Sequence, residues 1–198
     1  KGNFLIGLKQ YLGTNKVNED SLRLQTDDKF LRLQSANGLK HQSKQVKIVF
    51  KKIPLEKPYI FEKLISKPLA SFESAKKQSE ILVKQGLKPI ITMPSHWEIW
   101  LPIDSKDVVN QNFKLKRTII KSEIIPFLEN KYTLQKLDGP ISITSDEAIK
   151  INNINYGNNF YLVKDSYGTW TLVQKLTFVD YLKGVLPHEI GANSPLEA

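Results

Sequence analysis

The chain has 198 residues, 40% of them hydrophobic, so it can form one domain or two small ones with a real core. It contains no cysteine, which excludes disulfides, thiolate metal sites and cysteine nucleophiles, and it contains no apolar run of about 18 residues that would span a membrane as a helix. The net charge of +9 indicates an anionic partner, but the basic residues are dispersed and no nucleic-acid motif occurs, so we expect no nucleic-acid partner.

The first 58 residues predict short antiparallel strands. Apolar and polar residues alternate with a period of two in most of the candidate strands, as they do in strands with one buried face. These runs are 4–8, 21–26, 29–35 and 45–53. The Asn37-Gly38 pair predicts a tight turn, since both residues tolerate positive φ. We assign residues 1–58 to the N-terminal β part of a domain.

Residues 59–103 have a different pattern. Three prolines interrupt the alternation before and within this stretch: Pro54, Pro58 and Pro68. Ser71 predicts the N-cap of a helix that runs to about Gln85, with Gly86 as its stop, and strands are predicted at 87–93 and 97–103. We therefore predict an inserted strand–helix–strand–strand subdomain. It is weakly similar to half of a sporulation-related repeat, a small module that grips glycan strands; a purely structural insert is the alternative.

The remaining residues, 104–198, return to alternating strands and then end in a helix. The predicted strands are 113–121, 131–137, 140–145, 148–153, 160–165 and 170–176. Thr177 predicts the N-cap of a helix that Pro187 ends. The predicted fold class is therefore α+β: mostly antiparallel strands, the short insert, and a C-terminal helix leading to a motif loop at the start of an incomplete catalytic part.

The loop after this helix carries the most specific pattern in the chain. Residues 181–189 read YLKGVLPHE and residues 195–198 read PLEA. With Leu172, Val173 and Leu176, these residues resemble the motif of the sporulation stage II protein D family, also called the amidase-enhancer or LytB family. Gln174 replaces the family's usual Asn, and Ile190 replaces its usual Met.

The resemblance implies a lytic transglycosylase that acts on glycan strands stripped of their peptides, with Glu189 as the catalytic residue. By residue type and place alone, Glu189 is an ordinary loop carboxylate. One carboxyl group suffices for this reaction, because the sugar's own C6 hydroxyl replaces the attacking water or the second carboxylate of a hydrolase. His188 and Tyr181 are candidate substrate-binding residues, with a solvated histidine as the alternative for His188. The scattered histidines predict no metal site, and no cofactor is expected.

The resemblance also implies a location and partners. We expect an extracytoplasmic protein of the cell envelope, with peptidoglycan glycan strands as one partner and a cell-wall amidase as a further candidate. The alternative is a non-catalytic glycan-binding protein that activates an amidase. The chain begins with Lys1 and stops at Ala198, one turn into a helix capped by Ser194. We therefore expect a fragment that is inactive alone, with any membrane anchor outside it.

Overall fold

The structure, a computed structural model, describes residues 3–14, 21–106 and 112–177. In chain order the first elements are β1 (Asn3–Leu12), β2 (Ser21–Gln25), β3 (Leu31–Gln34), β4 (Lys40–Ser43), β5 (Gln45–Ser66), α1 (Phe72–Lys84), β6 (Ile90–Thr92) and β7 (Glu98–Pro102). A 3-10 turn at Ile103–Ser105 is followed by β8 (Phe113–Glu129), β9 (Leu134–Lys136), β10 (Ile141–Thr144), β11 (Lys150–Ile151), β12 (Ile154–Asn155), β13 (Asn159–Lys164) and β14 (Trp170–Thr177).

The predicted fold class, α+β with a C-terminal helix, is wrong. Within the described ranges the chain is mostly antiparallel β-sheet, with α1 as the single α-helix, so the fold is nearly all-β. Thr177, predicted as a helix cap, is the last residue of β14, and the helix predicted after it lies outside the described residues. The prediction also counted too little strand, because β5 and β8 extend for 22 and 17 residues.

The unexpected length of β5 has a physical reason. Proline lacks the N–H that a ladder needs, so it is tolerated in a strand where its nitrogen faces an open edge. Pro54 and Pro58 lie four residues apart in β5, so both nitrogens point to the same edge of the strand. The pairings of β5 with β2 at 45–49 and with β7 at 63–65 involve neither proline. The prolines therefore interrupt the polar–apolar alternation without ending the strand.

The chain forms two compact units, residues 1–53 with 123–198 and residues 54–122. The first contains a six-stranded antiparallel sheet in the order β1-β14-β13-β10-β3-β4. Alternation decides which side chains it buries: Leu31 and Leu33 are buried in β3, whereas Arg32 and Gln34 between and after them are exposed. The buried side chains of this sheet meet those of β2, β5 and β11 in one core, with Phe160 at 0% exposure.

The second unit, residues 54–122, contains the predicted helix. Ser71 caps α1 as predicted: its side chain accepts a hydrogen bond from the backbone N–H of Ser74, and Gly86 follows the helix with a φ of +81°. The buried face of α1 contributes Leu82 to a small core with Leu64, Ile99 and Leu101. The strands predicted at 87–93 and 97–103 are present as β6 and β7.

Candidate functional site

The three sequence-predicted site residues, Glu189, His188 and Tyr181, lie outside the described residues. The structure describes the strand that leads to them, β14, up to Thr177. Within the described part of the chain, the residues around the end of β14 are therefore the candidates for a functional site.

Strand pairing shows which residues share that end of the six-stranded sheet. Phe160 pairs with Gln174, so β13 begins beside the last residues of β14. Asn159, the first residue of β13, pairs with Thr144, and Thr144 pairs with Arg32. Because each pair is antiparallel, the last residue of β10 and the first residues of β3 and β13 lie at the end from which the motif continues.

A groove on the outer face of this sheet is lined mostly by polar residues. We call it the polar groove and define it by Arg32, Leu33, Gln34, Lys40, His41, Gln42, Ser142 and Thr144. Its volume is about 540 Å³. Amides, hydroxyls and cations are groups that hydrogen-bond to sugar hydroxyls and to anionic substituents. The residues lining the groove include no carboxylate, so a glycosidic bond held there would need an acid from elsewhere in the protein.

Arg32 is fixed in place by an acidic neighbour. Its guanidinium donates two hydrogen bonds to Asp146, from Nη1 to Oδ2 at 2.9 Å and from Nη2 to Oδ1 at 2.7 Å. The hydrogen bonds and the charge of Arg32 lower the pKa of Asp146, so the pair persists below the pH at which an aspartate usually protonates. The pair is exposed, and its consequence is orientation of the guanidinium rather than stability.

Asn159 adds a second polar feature at the same end. Its Oδ1 atom is buried and has no hydrogen-bond partner within the described ranges. Buried side-chain oxygens are usually paired, so Oδ1 of Asn159 is an exception, but its burial keeps it out of reach of a ligand on the surface. The neighbouring Phe160 faces the core with 0% exposure, which places Asn159 on the outer face with Thr144.

The structure also explains a residue singled out in the sequence. Gln174 is 7% exposed. Its side-chain amide lies against Gly157, where there is no room for a Cβ. The amide thus packs on the turn before β13 and helps to hold β13 against β14, the strand that continues into the motif.

Sequence reasoning missed Arg32, Thr144 and Asn159. Each of these residues lies next to buried residues in an alternating strand, and this position predicts that its side chain points outward. It does not predict which outward side chains lie close together. No group of three or more His, Asp or Glu residues able to hold a metal occurs in the described ranges. No helix there is long and apolar enough to cross a membrane.

Comparison with known proteins gives no match to a family model, to a curated protein or to a solved structure. Function has to be inferred from the motif that follows β14 and from the chemistry of the described surface.

Proposed function

We propose that the protein remodels the bacterial cell wall in the envelope, outside the cytoplasm, by cleaving peptide-free glycan strands of peptidoglycan as a lytic transglycosylase. The observation that carries the proposal is the motif at 181–198, in which Tyr181, Gly184, Pro187 and Glu189 have the spacing of the related family. Glu189 is the proposed catalytic residue.

The proposed reaction needs one carboxyl group in two roles. Protonated Glu189 donates its proton to the glycosidic oxygen while the bond between that oxygen and C1 breaks and positive charge develops on the sugar ring. The carboxylate that remains then accepts the proton of the C6 hydroxyl as its oxygen bonds to C1. The products are a shortened strand with a free hydroxyl and a 1,6-anhydro sugar, and the proton count on Glu189 is restored.

The polar groove supports the binding half of this proposal. Its amide and hydroxyl side chains suit the hydroxyls of a glycan, and Lys40 suits the carboxylate that each peptide-free muramic acid carries. The absence of a carboxylate among its lining residues agrees with an acid supplied by the motif loop. His188 and Tyr181 are proposed to contact the substrate beside Glu189.

The test is digestion of purified peptide-free glycan by the protein as its gene encodes it, with mass spectrometry of the products. We expect 1,6-anhydro ends from the wild type and none from Glu189→Gln. The matched control is Glu197→Gln, which removes the other motif carboxylate and should retain activity. Absence of anhydro products from the wild type, or equal products from Glu189→Gln, would overturn the enzymatic proposal.

A second candidate function is a non-catalytic glycan-binding protein that activates a cell-wall amidase. The described groove favours it, since its lining offers hydrogen-bonding groups for a glycan but includes no carboxylate. Under this function, glycan binding and amidase activation persist in Glu189→Gln and are lost when Gln34 and Gln42 are both changed to Ala. Cleavage that depends on Glu189 would exclude it as the sole function.

A further inference from the structure

The second unit, residues 54–122, presents one side of β5 to solvent. Leu64 is buried in the core under α1, so Lys63 faces the opposite side of the strand. Phe61, Tyr59 and Lys57 follow at intervals of two residues and share that side. The rings of Tyr59 and Phe61 are 47% and 45% exposed.

The paired strand β8 adds two lysines to this side. Phe113 packs against the same core as Leu64, and Arg117 Nε donates a hydrogen bond of 2.5 Å to Glu62, which alternates with Lys63. The odd-numbered residues of β8 therefore lie on the core side, and Lys114 and Lys116 lie on the same side as Lys63. Lys116 is close enough to repel the charge of Lys63. We call the resulting surface the aromatic–lysine face. It consists of Lys57, Tyr59, Phe61, Lys63, Lys114 and Lys116.

The electrostatics of this face favour an anion. Its six residues include four lysines and no carboxylate. Glu98 is the described carboxylate whose charge acts on Lys63. Trp100 pairs with Ile65, and Glu98 lies two residues before Trp100, so Glu98 is on the same side of the sheet as Lys63. Glu98 is 6% exposed, accepts a hydrogen bond from Trp100 Nε1 at 2.5 Å, and lies 3.1 Å from His96 Nε2. This carboxylate is buried beside Lys63, whereas Lys57, Lys114 and Lys116 are exposed.

The side chain of Lys63 is affected by the neighbouring lysines. Its Nζ lies 2.7 Å above the centre of the Trp100 ring. Burial, and then repulsion from Lys116, lower the pKa of Lys63 to about 8, against an opposing contribution from Glu98. A bound anion would offset that repulsion, so the face is arranged to gain from an anionic ligand.

The two aromatic rings narrow the ligand class. At two residues apart on one strand they lie about 6.5 to 7 Å from each other, which suits ring-shaped units that repeat along a polymer. The lysines offer point charges to anionic substituents of such units. Sugar rings bearing charged substituents satisfy both features.

We infer that the aromatic–lysine face binds an anionic glycan, with sugar rings on Tyr59 and Phe61 and with phosphate or carboxylate groups on the surrounding lysines. The inference rests on the proposed function, in which the protein meets the glycan of the cell wall. It means that the second unit selects glycan strands that carry charged groups.

The experiment measures the affinity of the whole protein for four probes by fluorescence titration at two salt concentrations. The probes are peptide-free glycan strands, a phosphodiester-linked glycan polymer, a neutral chitin oligosaccharide and single-stranded oligothymidine. We expect one or both charged glycans to bind more tightly than the neutral one, with affinity that falls with salt. The stronger of the two identifies carboxylate or phosphate as the recognised group.

Two double variants test the face. Lys114→Gln with Lys116→Gln should weaken charged-glycan binding by about tenfold and flatten its salt dependence. Tyr59→Ala with Phe61→Ala should weaken binding to a similar extent without flattening it. The control is Lys76→Gln with Lys77→Gln, which removes the same charge from exposed positions of α1 and should leave affinity unchanged.

The inference is overturned if charged and neutral glycans bind alike, if oligothymidine binds more tightly than either charged glycan, or if the α1 control loses as much affinity as the β8 variant. Circular dichroism checks that each variant is folded. Binding is also measured in Glu189→Gln, where it should be unchanged. A protein that binds charged glycan but does not cleave it would contradict only the proposed enzymatic function. A protein that cleaves glycan but shows no binding at the aromatic–lysine face would contradict only the inference about that face.

Discussion

The indole N–H of Trp170 donates a hydrogen bond to the backbone carbonyl of Ile124 across 2.9 Å. This bond ties the first residue of β14, the strand that continues into the motif, to β8. Trp170 is only 5% exposed, so both the ring and the bond lie in the core of the first unit.

Trp170→Phe should lower the free energy of unfolding of this unit by about 1–3 kcal/mol, because it leaves the Ile124 carbonyl unpaired and removes part of the buried ring. Urea denaturation followed by circular dichroism measures the change. Tyr132→Phe is the control, since Tyr132 is 84% exposed and should change stability by less than about 0.5 kcal/mol. Equal stability of Trp170→Phe and wild type would contradict a structural role for the bond.

Gly139 depends on the same ring. A Cβ at this position would lie 2.7 Å from Cζ3 and 2.8 Å from Cη2 of Trp170, and the ring is held by its bond to Ile124. Gly139→Ala should therefore destabilise the first unit by about 1–3 kcal/mol through overpacking.

The matched control for this change is Gly7→Ala in β1. There the nearest atom to a new Cβ is the flexible amide end of Gln10 at 3.3 Å, which can move aside. Thermal unfolding should show a lower midpoint for Gly139→Ala than for Gly7→Ala. The reverse order would mean that the indole is free to shift.

An element of this fold could be predicted from the sequence where its bounds depend on residues that are close together in the chain. Ser71 and Gly86 fix the ends of α1 through their own backbone and side chains, and both were predicted. The strand β5 was interrupted too early in the prediction, because the acceptability of Pro54 and Pro58 depends on which edge of the strand is paired. That information is not local.

In the candidate site, too, local features could be predicted from the sequence and contacts between distant residues could not. Alternation predicts that Arg32 and Thr144 point away from the core, but their proximity depends on the register between β3 and β10, which are more than 100 residues apart in the chain. The contact between Gln174 and Gly157 likewise depends on tertiary packing. The prediction for the motif residues depends on residue type and spacing alone and stays a prediction, whereas the neighbours on the sheet surface could not be predicted from the sequence.

Lys63 gives a prediction about pH. Its pKa in the folded protein, about 8, lies below its ordinary value of 10.5. Between these values the unfolded chain keeps the proton that the folded chain has released, so the stability of the second unit should rise as the pH rises through this window. Lys63→Met should remove this contribution and flatten that part of the profile.

The measurement is the difference in unfolding free energy between wild type and Lys63→Met at several pH values from 7.5 to 10, which cancels the other titrating groups. Lys57→Met is the control, because it removes the same charge from an exposed position of the same strand. In parallel, affinity for a charged glycan should fall as the pH rises through about 8, since Lys63 loses its charge. A pH-independent difference for Lys63→Met would contradict the prediction.

Asn159 gives a prediction about stability at the end of the six-stranded sheet where β14 ends. Its buried Oδ1 has no partner within the described ranges, and an unpaired buried acceptor lowers stability. Asn159→Ala should therefore leave the unfolding free energy unchanged or raise it, as measured by urea denaturation. Asn158→Ala, at the exposed neighbouring position, is the control and should change stability by less than about 0.5 kcal/mol. If Asn159→Ala lowers the unfolding free energy by more than about 1 kcal/mol, the Asn159 side chain makes a stabilising interaction within the protein, and the prediction is wrong.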